Sequence, residues 1–336
     1  MKEEPQDEYI FPVYSSQTKN EGLMGYYNEY LYEDAITWTT DGANAGTVHY
    51  RDGKFYCTNV CGVLLNEDGN ANRCVAEILG SVSKKYVSYV GNPKLMNNVM
   101  SEIRIHIPSV VEQKRIDELL TVIDLRITKQ RELIDHLKKY KRGVSIAIFD
   151  RKISLTKNSP TWIKTTVGEI CKITMGQSPD SESYNADQIG IPLVQGNADM
   201  KNRITCPQRY TSKPTKICAE GSIILSVRAP VGSVGRADRT VCLGRGVCAI
   251  NSDNNDFLYY FFERNEPYWK RIEQGGTFTA ISGDDIAEMP IEYPCLEERK
   301  KIADFLLKID YRIAAEENAL NQLLMLKSGL LQQLFI

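Results

Sequence analysis

Pro179-Asp180 is followed within the same block by Asp199-Met200-Lys201. A Pro-Asp pair, a second carboxylate and a lysine in this order form the loose pattern of Mg²⁺-dependent nucleases. There two carboxylates hold the metal and the lysine stabilises developing charge. The same residues also read as turns: "GQSP" ends at Pro179 and "QGNAD" ends at Asp199. The pattern is permissive enough to arise by chance, and the turn reading is preferred. The three histidines, His49, His106 and His136, have no cysteine or carboxylate at ligand spacing, which argues against a metal site. No Gly-x4-Gly-Lys-Ser/Thr phosphate loop occurs. "NSPTW" at Asn158 approximates the Asn/Asp-Pro-Pro-aromatic motif that holds a flipped adenine, but lacks the second proline. None of the nine cysteines forms a CxxC pair, so they read as reduced thiols of a cytoplasmic protein. Catalysis by this chain alone is not expected.

The elements that would position any site come next. A chain of 336 residues has room for two or three domains, and 42% hydrophobic with 25% charged residues is ordinary for a globular protein. The opening "MKEEPQDE" is too polar for a signal peptide, and no apolar run approaches the roughly 20 residues of a membrane span. The net charge of −2 makes no electrostatic case for a nucleic-acid partner by itself.

The strongest pattern is a repeat. "EQKRIDELLTVIDLRI" at Glu112 returns as "ERKKIADFLLKIDYRI" at Glu298, with half the letters matching in place. Pro108 and Pro294 open the two copies. Apolar residues then alternate at steps of four and three: Ile116, Leu120, Ile123, Ile127, Ile134, Leu137, Val144 and Ile148 in the first copy. The second copy has Ile302, Leu306, Ile309, Ile313, Leu320, Leu323, Leu330 and Leu334. A 3.5-residue period held this long predicts coiled-coil helices of about 40 residues and roughly 60 Å. Polar residues interrupt both copies at matching places, Gln130 with Glu316 and Lys141 with Lys327. Parallel pairing would oppose the two lysines. Antiparallel pairing about a pseudo-two-fold near residue 135 sets Lys141 by Glu316 and Gln130 by Lys327. It also sets Ile123 by Leu334 and Ile148 by Ile309. An intramolecular antiparallel coiled coil is therefore expected.

A block precedes each helix, 1–107 and 162–290, with a polar linker at 151–161 between the helix at 108–150 and the second block. The last helix occupies 291–336. Short β-branched runs such as "GTVHY", "YVSYV", "GSIILSV" and "RGVCAI" predict strands in both blocks. The blocks align weakly: "EDAITWTTDGANAGTV" at Glu33 with "EGSIILSVRAPVGSV" at Glu220, and "YIFPVYSS" with "IGIPLVQG". The expected fold class is α+β, with two β-rich domains separated by two long helices. Two readers on a fixed ruler suit a long quasi-symmetric partner such as duplex DNA, where half-site spacing mirrors protein symmetry.

In the second block, "TWIKTTVGEICKITMGQSP", "IPLVQGNAD", "GSIILSVRAPVGSVG", "GRGVCAI" and "GGTFTAIS" follow in order and lead into "MPIEYPCLEERKKIADFL". In the first, "ITWTTDGANAG" and "IPSVVEQKRI" stand out. Over nearly its whole length the chain resembles the specificity (S) subunit of type I restriction–modification systems. The resemblance implies a non-catalytic subunit in which each target recognition domain reads half of a bipartite site in double-stranded DNA. It implies that the helices set the spacer and dock two methyltransferase subunits, with restriction subunits joining them. S-adenosylmethionine, ATP and Mg²⁺ would serve those partners, and no cofactor is expected in this chain. One departure is that Trp162 stands well ahead of Pro192, whereas Pro12 has too few residues before it for the same opening strand and glycine turn. The first domain therefore reads as N-terminally incomplete. A truncated or silent recombination cassette, or a true start lying upstream, are both open. A stand-alone Mg²⁺-dependent nuclease is the rival enzyme reading, and a scaffold with two sugar- or peptide-binding β domains is another.

Base edges are read by Arg, Asn, Gln, Ser and Thr on loops, and phosphates by Lys, Arg and amides. In the second block these types fall at Gln195, Asn197, Arg228, Arg245, Thr277 and Thr279. In the first they fall at Asn44, Asn59, Asn97 and Asn98, with Lys54 as a phosphate contact. Each amide taken singly is more often a turn former than a base reader.

Overall fold

The computed structural model describes residues 1–16, 19–65, 69–156, 161–274 and 280–335. The fold is α+β, with two β-rich units and two long helices that pack on each other. One unit comprises Met1–Leu133 with Glu316–Ile336, the other Ile134–Ala315. Four helices organise them: α1 (Arg73–Ser83), α2 (Val110–Phe149), α3 (Asn255–Gln274) and α4 (Leu296–Leu334). The expected length of about 40 residues holds for α2 and α4, which have 40 and 39. The start of α2 is fixed locally. The Ser109 hydroxyl accepts from Glu112 N–H, and the Glu112 carboxylate accepts from Ser109 N–H, closing a capping box behind Pro108.

The first unit holds a five-stranded sheet in the order Leu23–Tyr27, Phe11–Tyr14, Val48–Cys57, Tyr32–Thr39, Cys61–Leu64. Only Phe11–Tyr14 and Val48–Cys57 run parallel. Helix α1, capped by the Asn72 side chain on Val75 N–H, packs Val75, Ala76 and Leu79 against Ile36 and Trp38. Trp38 is 3% exposed, and its indole N–H donates to the Leu95 carbonyl at 3.0 Å, which ties the sheet to the loop before α2. Gly62 lies flat on that indole. A Cβ there would sit 2.2 Å from the ring. Gly62→Ala is expected to lower the stability of this unit by about 1–3 kcal/mol, read as an earlier urea midpoint in Trp38 fluorescence.

The second unit has two larger sheets. One runs Met200–Lys201, Ile204–Thr205, Val234–Arg236, Ile223–Ser226, Val247–Asn251, Lys172–Met175. The other runs Ile217–Cys218, Val241–Leu243, Ile191–Val194, Arg209–Thr211, Tyr184–Asn185. Alternate residues of Ile223–Ser226 face different cores: Ile223 and Leu225 meet α3 residues Phe257 and Phe262, and Ile224 meets Val194, Val241 and Leu243. A strand buried on both faces explains the consecutive apolar residues Ile223, Ile224 and Leu225.

Two extended stretches that precede the long helices behave differently. Pro290–Tyr293 pairs with Ile163–Thr166 ahead of α4. Beside that pair Trp162 is buried, and its indole N–H donates to the nearly inaccessible Glu298 carboxylate at 3.1 Å. In the first unit the stretch Arg104–Ile107, ahead of α2, has no backbone hydrogen-bond partner among the described residues. Trp162→Phe keeps most of the buried ring but removes the donor to a buried carboxylate. It is expected to lower the stability of the second unit by about 1–3 kcal/mol, measured by urea unfolding.

Apart from Leu334, 39% exposed at the C-terminal end of α4, the predicted seam positions are buried or half-buried; the clearest are Leu120, Ile123 and Ile127 in the first unit and Ile148, Ile302 and Leu306 in the second. The orientation is antiparallel within each unit: in the first Gln130 meets Glu316 while Asp124 meets Lys327, and in the second Lys141 meets Asp310 while Ile148 clusters with Ile302 and Leu306. The register differs from the expected one. Gln130 donates to the Glu316 carboxylate and carbonyl rather than facing Lys327. Lys141 takes Glu263 at 2.8 Å and Asp310 at 2.7 Å where Glu316 was expected. Of the proposed apolar pairs, Ile148 and Ile309 do share one core cluster, whereas Leu334, the proposed partner of Ile123, is exposed. The physical reason is that each lysine sits between two carboxylates, one on the facing long helix and one on a helix of its own unit, Glu263 or Glu77, which lies outside the pattern of the two long helices.

The run "YVSYV" is a further correction. Tyr86 ends a helical turn, Ser88 makes an isolated bridge to Lys94, and Tyr89 and Val90 are 70% and 92% exposed. The following Gly91-Asn92-Pro93 turns the chain there, so β-branched composition did not make a strand. Among the described residues no helix is long and apolar enough to cross a membrane.

Candidate nucleic-acid interface

In the second unit, loops at the ends of three strands converge. Ile191–Val194 runs into Gln195-Gly196-Asn197, Ile223–Ser226 into Val227-Arg228-Ala229, and Val241–Leu243 into Gly244-Arg245-Gly246. With Ser178 they line a recess of about 300 Å³. Four of the sequence-selected residues, Gln195, Asn197, Arg228 and Arg245, are thereby brought together. Glycine makes the approach possible. A Cβ on Gly246 would stand 2.2 Å from the Gln195 carbonyl oxygen, and one on Gly176 2.1 Å from that of Gly244. Gly246→Val is therefore expected to force the loops apart and cost about 1–3 kcal/mol, seen as an earlier thermal midpoint.

The polar groups here are held but not consumed. Gln195 donates its backbone N–H to Asp199 at 2.7 Å and its side-chain amide to the Tyr184 hydroxyl at 3.3 Å. Arg245 is exposed, and its backbone N–H and Nε both point to the Ser178 hydroxyl at 3.3 Å. Arg228 is exposed and has no ion-pair partner among the described residues. Two exposed guanidiniums, one of them steadied through Nε by Ser178, beside an amide pair suit planar hydrogen-bonding partners such as base edges or phosphates. Thr277 and Thr279 lie outside the described residues.

The nuclease-like pattern resolves into turns. Asp180 caps a short helical turn by accepting from Glu182 N–H, Asp199 holds Gln195, and Lys201 is exposed on a strand paired with Ile204. No group of three or more His, Cys, Asp or Glu side chains fit to hold a metal occurs among the described residues. Burial pushes the thiols of Cys57 and Cys74 up to about 11, away from reactivity.

The first unit carries the same loop frame. Thr39 N–H donates to Thr47 and Gly46 N–H to Thr39, as Ser226 N–H donates to Ser233 and Gly232 N–H to Ser226. Thr40 N–H donates to Val60 and receives Leu95 N–H on its carbonyl. Val227 does the same with Gly246 and Ile281. Tyr14 pairs with Cys57 as Val194 pairs with Leu243, both in parallel strands. Isolated bridges join Asp41 to Lys94 and Arg228 to Ala280. This places Asp41 at the position of Arg228 and Asn59 at that of Arg245. It agrees with the alignment of Glu33 with Glu220 and of Pro12 with Pro192.

Around this frame Asn44 donates to the Ser16 carbonyl at 3.2 Å, and Asn59 is exposed. Asn97 and Asn98 are exposed on the short helix Asn97–Ser101 that follows Leu95. Lys54 stands apart from these loops. It pairs in register with Glu33, and its ammonium lies over the Tyr30 ring at 4.6 Å. Asp41 and Lys94, 3.5 Å apart, were not selected by residue type. Placing Glu33 over Glu220 puts Asp41 opposite Arg228, and that was the signal available for it.

The family model for the type I restriction modification DNA specificity domain matches residues 1–139 and 160–325. A relative in Methanocaldococcus jannaschii, described as a type I restriction enzyme MjaX specificity subunit, is 33% identical over 246 residues. The match covers 67% of this chain but 57% of the relative, so the chain spans little more than half of it. A type I specificity subunit of Mycoplasma pneumoniae is 28% identical over 317 residues, 90% of this chain and 82% of its own. In fold, the chain is similar to the crystal structure of a type I restriction–modification S subunit from M. genitalium. That match has TM-score 0.68 and 16% identity, and covers 100% of this chain and 93% of that one.

Proposed function

The chain belongs to the type I restriction modification DNA specificity domain family, and on that footing we propose that it is the non-catalytic DNA-reading subunit of a type I restriction–modification assembly. The blocks at 1–107 and 162–290 act as two target recognition domains, each reading one half of a bipartite site in double-stranded DNA. Helices α2 and α4 set the spacer and dock two adenine methyltransferase subunits, which bring S-adenosylmethionine. Restriction subunits join through the same assembly and bring ATP and Mg²⁺ chemistry. The work is cytoplasmic, where these partners and the DNA are.

One observation carries this reading. Each unit builds the same backbone frame of strand-end loops and fills it with different polar side chains: Arg228 and Arg245 in one, Asp41 and Asn59 in the other. A conserved frame with exchanged hydrogen-bonding groups suits reading different bases from equivalent positions. The nearly neutral charge fits a subunit whose isolated affinity is modest and whose salt dependence is shallow until partners close around the duplex. Methylome sequencing of cells expressing the chain with its methyltransferase partner tests the proposal. A two-part methylated motif with unlike halves is expected. A palindromic motif would mean that a single unit reads DNA twice in a dimer, and no motif would remove the reading.

A further inference from the structure

From the equivalence of the two loop frames we infer that residues 41 and 228 are matched base-selecting positions, Arg228 requiring a guanine in one half-site and Asp41 a cytosine in the other. The inference rests on the DNA-reading function proposed above and adds residue-level specificity to it. Its basis is the backbone. Thr40 and Val227, the residues just before them, make the same two hydrogen bonds, at 3.0 and 2.8 Å for Thr40 and 2.9 and 3.0 Å for Val227. Each following residue then bridges the residue just before Leu95 or Ile281, Asp41 to Lys94 and Arg228 to Ala280. Two side chains leaving the same backbone position on the same frame address the same place on whatever the frame faces.

Their chemistry is opposite. The Arg228 guanidinium is exposed, presents only donors, and matches the paired O6 and N7 acceptors of guanine in the major groove. The Asp41 carboxylate presents only acceptors. One oxygen receives the Thr40 hydroxyl at 3.0 Å and the other lies 3.5 Å from the Lys94 ammonium, which fixes its orientation and leaves lone pairs for a cytosine N4 amino group. The position that matches Lys94 in the second unit is taken by Ala280. That difference follows from the inference: an acidic reader beside phosphates needs a neighbouring cation, and an arginine does not.

The test uses the full chain assembled with its methyltransferase subunits and maps methylated motifs for wild type, Arg228→Ala, Asp41→Ala and Arg239→Ala. Arg239 is an exposed arginine away from the loops and paired with Asp238. Arg228→Ala is expected to lose about tenfold or more discrimination at one guanine of one half-site, with the other half and the spacer unchanged. Asp41→Ala is expected to relax one cytosine in the opposite half, and Arg239→Ala to leave the motif as it is. A uniform fall in methylation with an unaltered motif would assign Arg228 to the phosphate backbone and overturn the inference, while the DNA-reading function stands. Relaxation of the same half-site by both variants would also overturn it. Absence of any two-part motif in the wild type would overturn inference and function together.

Discussion

Lys141→Ala is expected to destabilise the second unit by about 3–5 kcal/mol. The Lys141 ammonium lies between the Glu263 carboxylate on α3 and the Asp310 carboxylate on α4, at 2.8 and 2.7 Å. Its side chain is only 13% exposed and that of Glu263 17%. Truncation leaves two carboxylates facing one another without the charge between them. Arg203 on Glu263 and the Tyr260 hydroxyl on Asp310 remain and compensate in part. The first unit repeats the arrangement with Lys327 between Glu77 on α1 and Asp124 on α2, both at 2.9 Å. Each of these residues lies 186 positions from its counterpart, the separation that also joins Gln130 to Glu316. Lys327 is 21% exposed against 13% for Lys141, and neither of its carboxylates is as covered as Glu263, although Asp310 at 33% is as open as they are, so Lys327→Ala should cost less. The measurement is urea unfolding followed by tryptophan fluorescence, with Trp162 and Trp269 reporting on one unit and Trp38 on the other. Each variant should move the midpoint of its own unit. Adding Glu263→Gln and Asp310→Asn to Lys141→Ala should recover much of the loss, because the uncompensated charges are then gone. Equal loss in the triple variant would assign the effect to packing of the lysine stem instead.

These triads show what a one-dimensional pattern contains. The period and length of α2 and α4 could be read from Leu120, Ile123, Ile127 and their repeats, because a buried seam forces apolar residues at fixed steps. Antiparallel orientation followed from like charge at Lys141 and Lys327. Register did not, because Glu77 and Glu263 belong to other helices and no helical period links them to the lysines. In the candidate interface, Gln195, Asn197, Arg228 and Arg245 were recognisable because glycines and a proline mark where the chain turns and three loops meet. The first unit was harder to read. Its loops use Asp41, Asn59 and Lys94, which are common residues in common turns; the alignment of Glu33 with Glu220 hinted at Asp41, and the matching hydrogen bonds of Thr40 and Val227 set Asp41 with Arg228 and Asn59 with Arg245. Lys54 was selected by type and stands elsewhere, over Tyr30. "YVSYV" failed for a related reason: strand propensity describes residues that fit a half-buried pleated surface, and Tyr89 and Val90 stand open to solvent.

Acid is expected to weaken the first unit through His49. This residue lies on the strand Val48–Cys57, at the wall of a cavity of about 650 Å³ that also holds Arg51 and Lys327. Burial comes first, then the positive charges of Arg51 and Lys327, and together they push its pKa down to about 4. The unfolded chain restores the ordinary value of 6.5. Between these values the unfolded state binds a proton that the folded state refuses. Stability is therefore full above pH 6.5, declines as pH falls, and levels off below about 4. The loss from this residue reaches up to about 3 kcal/mol. His49→Gln should flatten that part of the pH dependence without removing the acid sensitivity of the carboxylates. Lys327→Ala couples this effect to the triad. It removes one of the two charges that repel the imidazolium, so the His49 pKa should rise even as the unit loses stability at neutral pH. An NMR titration of the His49 ring in the wild type and in Lys327→Ala reads both values directly. A wild-type value near 6.5 would mean that water reaches the ring, and the acid-sensitivity argument would fail. A depressed value unchanged by Lys327→Ala would leave burial and Arg51 as its causes.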